Sequence, residues 1–171
     1  MPEDTNTFEV LTPEQARRLS EGFRGTSLQL DGLRTLDADT AAVLADLTVK
    51  YLSLNGLTSL DPEAARALAK SPATHLYLGG LPALDVATAG ALAEFKGEEL
   101  YLLGLVSLDV GTATALAAYA GGSLVLNVFH GLKPLDIGAA VAIAASRARF
   151  LALGVTALDV ATAQARACFE G

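Results

Sequence analysis

The chain has 171 residues, 51% of them hydrophobic and 6% aromatic, with no Trp and one Met, so Leu and Ala must fill the interior of a single domain. A formal charge of −7 leaves no basic excess for phosphates, which argues against a nucleic-acid partner. The lone Cys168 excludes an intramolecular disulfide, and no Cys/His pair has the spacing of a metal site.

Met1 opens onto Pro2, Glu3 and Asp4, not onto a basic segment followed by an apolar one. That is not a signal peptide, and the expected compartment is the cytoplasm. Residues 1–10 read as a polar tail. From Leu11 the chain repeats itself, first as a half-copy over 11–27, where LTPEQARRL (Leu11 to Leu19) aligns with LDPEAARAL (Leu60 to Leu68). Full copies begin at Leu28, Leu52, Leu76 and Leu100, each 24 residues after the last, with further copies starting at Leu124 and about Leu151. The expectation is one continuous repeat unit over residues 11–171.

Each copy divides into halves of different period. The first reads L-x-L, an alternation that predicts a short half-buried strand at 28–30, 52–54, 76–78, 100–102, 124–126 and near 151–153. A Gly follows (Gly32, Gly56, Gly80, Gly104), read as permitting a tight departure from the strand. The second half opens with Asp37, Asp61, Asp85, Asp109, Asp136 or Asp159, ahead of an Ala-rich stretch with apolar residues at helical spacing. That is the place of a helix N-cap, with Thr12 in the same role in the half-copy and Pro62 at a first helical position. Removing these six caps from the 19 acidic residues leaves 13 against 12 basic ones, so the acidity is mostly architectural. A calcium column is the other reading of the carboxylates, but one Asp per turn supplies too few oxygens. No metal or cofactor is expected.

No charged residue falls between Val110 and Leu132, a length that would span a bilayer. Gly121, Gly122, Ser123 and Asn127 interrupt it in phase with the repeat, so it reads as buried repeat and not as a membrane segment.

An L-x-L strand joined to a helical half, repeated at 24 residues, resembles the leucine-rich-repeat family, in its short Ala-rich bacterial variant. The resemblance implies an α/β right-handed solenoid, with a parallel sheet on one face and short helices on the other. The usual phrase LxxLxLxxNxL is here replaced by GLxxLD after the strand, so the hydrogen-bonded Asn ladder of the family is expected to be absent. End units of such a stack should be polar. Gln15, Arg17, Arg18 and Glu21 supply this at the leading end, and Arg166 stands in the column of Leu44, Leu68, Leu92, Leu116 and Ile143 at the trailing end.

No catalytic constellation is visible: the two His residues, His75 and His130, lie 55 positions apart. The chain reads as a non-enzyme. The outward strand positions form columns: Ser27, Tyr51, His75, Glu99, Ser123; then Gln29, Ser53, Tyr77, Tyr101, Val125; then Asp31, Asn55, Gly79, Leu103, Asn127. Tyr51, His75, Tyr77, Glu99 and Tyr101 thus gather in mid-face as candidate partner-binding residues, since Tyr offers large area and a polar tip. The plain alternative is that Tyr suits a strand and packs its neighbours. The fifth copy carries three extra residues, most simply Val128, Phe129 and His130. Phe129 and His130 either reach a partner from a loop, or Phe129 folds back under Pro134. The functional expectation is a non-catalytic module binding an unidentified partner protein through the exposed sheet face. The alternative is a structural element that self-associates through its ends, with a homodimer formed around Leu151, Leu153, Cys168 and Phe169.

Overall fold

The computed structural model describes residues 8–126 and 137–153. Strands and helices alternate along the chain: α1 (Pro13–Gly22), β1 (Ser27–Gln29), α2 (Ala38–Ala45), β2 (Tyr51–Ser53), α3 (Pro62–Leu68) and β3 (His75–Tyr77). They continue as α4 (Val86–Ala93), β4 (Glu99–Leu102), α5 (Val110–Leu116), β5 (Ser123–Leu126), α6 (Ile137–Ala144) and β6 (Phe150–Leu153). The six strands form one sheet in chain order, and every neighbouring pair is parallel. Successive helices pack on one another in the same order. The protein is therefore α/β, a parallel sheet alternating with helices.

The register follows the repeat. Leu28, Leu52, Leu76, Leu100, Leu124 and Leu151 stand opposite one another across the sheet. Leu28, Leu30, Leu52, Leu54, Leu76, Leu78, Leu100, Leu102, Leu124 and Leu126 are fully buried and join Leu44, Leu68, Leu92, Leu116 and Ile143 of the helices in one apolar cluster. Each such side chain stabilises by about 1.5–3 kcal/mol over leaving it in water. All strands begin one residue earlier than the L-x-L pattern marks. Burial alternation reports side chains, whereas pairing starts with backbone donors: Lys50 and Tyr51 N–H both donate to the Thr26 carbonyl.

Helix starts fall where the sequence places them. The side chains of Asp37, Asp61, Asp85 and Asp109 accept the backbone N–H of Thr40, Ala64, Thr88 and Thr112, at 2.7–2.9 Å. Thr12 and Gln15 exchange reciprocal bonds in a capping box at α1. α6 begins at Ile137, one residue after Asp136, and the capping roles of Asp136 and Asp159 lie outside the described residues. So do Arg166, Cys168 and Phe169. The stacking reaches back beyond Leu11, because Phe8 packs against the core and the Glu9 carbonyl accepts the Arg34 N–H.

Two details go beyond the sequence reading. Gly56, Gly80 and Gly104 also serve close approach between copies. A Cβ on Gly56, Gly80 or Gly104 would overlap the carbonyl oxygen of Asp31, Asn55 or Gly79 in the preceding copy. The polar ladder is also not wholly absent. Asp31 Oδ1 accepts the Asn55 N–H at 2.8 Å and the Ser53 hydroxyl at 2.6 Å, and Asn55 Oδ1 accepts the Gly79 N–H at 2.8 Å. The rungs sit in the outward column just past the strand, displaced from the family position, and Gly79 offers no side chain to continue them.

Two further columns tie copies together. Thr40, Thr88 and Thr112 are buried at the third helical position, and their hydroxyls donate to the carbonyls of Leu11, Leu60 and Leu84 in the preceding copy. Beyond α1, α4 and α5, an aromatic residue faces a glycine two positions on: Phe23 and Gly25, Phe95 and Gly97, Tyr119 and Gly121. Where the first residue is Ser71 or Ser146, the second is Ala73 or Ala148, and the Ser hydroxyl accepts its N–H instead.

The charge-free stretch after Val110 holds α5 and β5, and no helix among the described residues is long and apolar enough to cross a membrane.

Candidate protein-binding face

The parallel register decides what the outward side chains can touch. Tyr51, His75 and Glu99 are direct cross-strand partners, as are Ser53, Tyr77 and Tyr101. Their side chains stand on the face opposite the leucines, where each strand spacing brings rings within contact distance.

The result is one continuous aromatic row. The Tyr51 and His75 ring centroids are 4.6 Å apart, His75 and Tyr77 are 6.4 Å apart at 12°, and Tyr77 and Tyr101 stack at 4.4 Å and 9°. Lys50 Nζ lies 5.4 Å from the Tyr51 centroid, a cation capping the end of the row. All five candidate residues of the face are half-buried. The rings spend their faces on one another and present edges and polar tips outward.

Those tips are held in a defined network. Glu99 Oε2 accepts the Tyr101 hydroxyl and lies 3.3 Å from His75 Nε2. On its other side, His75 Nδ1 is 2.7 Å from the Thr74 hydroxyl, which also reaches the Lys50 carbonyl at 2.8 Å. Burial, together with donation to the Glu99 carboxylate, pushes the Tyr101 phenol well above its ordinary range. Burial raises the Tyr77 phenol as well. Both phenols therefore stay neutral donors throughout the physiological range.

The face is not uniform along the sheet. Over β1 and β2 it is polar, where Asp31, Ser53 and Asn55 form the hydrogen-bonded rungs described above. Over β3 to β5 it becomes aromatic and aliphatic, through Tyr77, Tyr101, Leu103 and Val125, and Phe150 on β6 is 61% exposed. Among the described residues no three His, Cys, Asp or Glu side chains gather as metal ligands would.

Five of the seven candidate residues are brought together: Tyr51, His75, Tyr77, Glu99 and Tyr101. Phe129 and His130 lie outside the described residues. Two participants escaped the sequence reading. Thr74 immediately precedes a strand, where a hydroxyl carries no signal, yet it fixes the imidazole. Lys50 is visible only as one charge beside Tyr51. No family model matches this chain, and no curated protein does. The physical arrangement therefore carries the functional argument. It offers a preorganised surface of ring edges and phenol tips.

Proposed function

We propose that the chain is a right-handed leucine-rich-repeat solenoid that binds a partner protein through the outward face of its sheet, without catalysing a reaction. Parallel strands in chain order, each joined to the next by a helix, support the solenoid. Right-handed crossovers are the rule for such connections, in about 98% of cases. The observation that carries the functional half is the row of Tyr51, His75, Tyr77 and Tyr101. Three of the chain's four Tyr residues are spent on one outward surface, while Tyr119 alone is buried. Large aromatic side chains already locked in place lose little entropy when a partner covers them.

The test is affinity capture from the source cells with the wild type and with a Tyr77→Ala/Tyr101→Ala double variant. The expected outcome is a defined partner retained by the wild type and lost from the variant, while circular dichroism reports an intact fold. A partner held equally by both would leave the row as sheet packing and remove the binding role.

A further inference from the structure

We propose that His75 is a proton-responsive charge in the middle of this face, and that the Thr74 hydroxyl reverses its hydrogen bond so that the ring gains or loses a proton without disturbing the row. Its regulatory meaning rests on the face being the binding surface. The geometry requires a group able both to donate and to accept beside Nδ1. Thr74 Oγ is that group, 2.7 Å from His75 Nδ1 and 2.8 Å from the Lys50 carbonyl.

The hydrogen bond at Nδ1 closes in both states, while Nε2 keeps its 3.3 Å contact with Glu99 Oε2. In the neutral ring the hydrogen sits on Nε2 and the Thr74 hydroxyl donates to the bare Nδ1. In the protonated ring Nδ1–H donates to Thr74 Oγ. The Thr74 hydroxyl hydrogen then turns to the Lys50 carbonyl. No partner is lost and no ring moves. A valine at position 74 would satisfy neither state at Nδ1.

Charged and aromatic groups surround the ring. The His75 side chain is 14% exposed against 30% for Glu99. Tyr51 faces it from β2, with the Lys50 ammonium beyond that ring, and Tyr77 faces it on its own strand. Glu98, Glu99 and Tyr101 stand on the β4 side. Counting Lys50, His75, Glu98 and Glu99, protonation takes the centre of the face from one net negative charge to none. Shape stays and charge changes, which alters the attraction of a charged partner without unmaking the surface.

The test is nitrogen-15 NMR of the imidazole in the free full-length chain across the range from about pH 5 to pH 8, where His changes charge. The expected result is a neutral ring carrying its hydrogen on Nε2, an Nδ1 signal shifted by hydrogen bonding, and a Tyr51–His75 ring pairing that persists in both states. Thr74→Val should move the Nδ1 signal to that of an unbonded nitrogen, and Thr74→Ser should restore it. A neutral ring with its hydrogen on Nδ1, separation of the Tyr51 and His75 rings on titration, or an unchanged Thr74→Val spectrum would each overturn the proposal. These spectra need no partner, so their failure removes the proton response alone. Undiminished capture by the tyrosine double variant instead removes the binding reading.

Discussion

Replacing Tyr119 by Phe isolates a single interaction between copies. Tyr119 is fully buried, stacks on Phe95 at 6.5 Å and 8°, and donates its hydroxyl to the Gly97 carbonyl at 2.8 Å. The substitution keeps the ring and its packing, so no large cavity opens. What is lost is one hydrogen bond, and Gly97 O is left without that donor at a buried position. An intramolecular bond is worth about 0.5–1.5 kcal/mol net, and a buried group left unpaired costs about 1–3 kcal/mol. The expected destabilisation is about 1–2 kcal/mol, read as a lower urea midpoint by circular dichroism with an unchanged slope. Alkali supplies an independent check. Burial pushes the Tyr119 phenol up to about 12, above the value near 10 of an unfolded chain. A raised folded-state value favours the protonated form, so this stabilisation is complete below about pH 10 and disappears as pH rises toward 12. Tyr77 and Tyr101 are raised too, so the variant should lose less stability than the wild type over that range, yet still lose some. Equal midpoints at neutral pH, or an identical alkaline decline, would refute the role assigned to this bond.

Asp85→Ala should lower stability by about 1 kcal/mol, the usual cost of a lost N-cap, measured by the same denaturation. Hydrogen bonds from Thr88 hold the Asp85 carboxyl below its ordinary range, so the gap between wild type and variant should be full at neutral pH and close as pH falls through that lowered value. Gly80→Ala should destabilise by about 1–3 kcal/mol, because the added methyl meets backbone oxygens of Asn55 and Leu57, which cannot yield as a side chain would. Gly90→Ala, inside α4 with open space at the Cβ position, should instead stabilise by about 0.5–1 kcal/mol, and both are checked by thermal melting.

Much of this architecture is legible in the residues because its signals are periodic. The inward leucines fix which face is buried, and a spacing of 24 fixes which residues face one another, so the column of Tyr51, His75 and Glu99 follows from counting. Caps are legible for the same reason, since one carboxylate precedes each Ala-rich stretch. Interactions that depend on the gap between copies are not. The pairing of Phe95 with Gly97 and of Tyr119 with Gly121 becomes meaningful only once the ring folds back over the glycine, where a methyl would meet both the ring and a carbonyl of the preceding copy. The rungs from Asp31 to Asn55 and Gly79 lie past the strand, displaced from the position at which the family pattern directs attention. Tyr101 reaches Glu99 along its own strand, an i, i+2 contact set by side-chain rotamers and not by sequence period. Thr40, Thr88 and Thr112 carry a usable signal, the recurring L-D-x-x-T phrase, but its meaning lies in carbonyls 28–29 residues earlier.

The claim that the sheet face binds a partner is tested most directly by photo-crosslinking from defined positions. One photoreactive residue replaces Ser123, on β5 beside Glu99, and another replaces Arg66, exposed on α3. With the captured partner present, the account predicts a crosslinked product from position 123 and none from position 66. A product from position 66 alone would place the partner on the helices and contradict the assignment of the aromatic face.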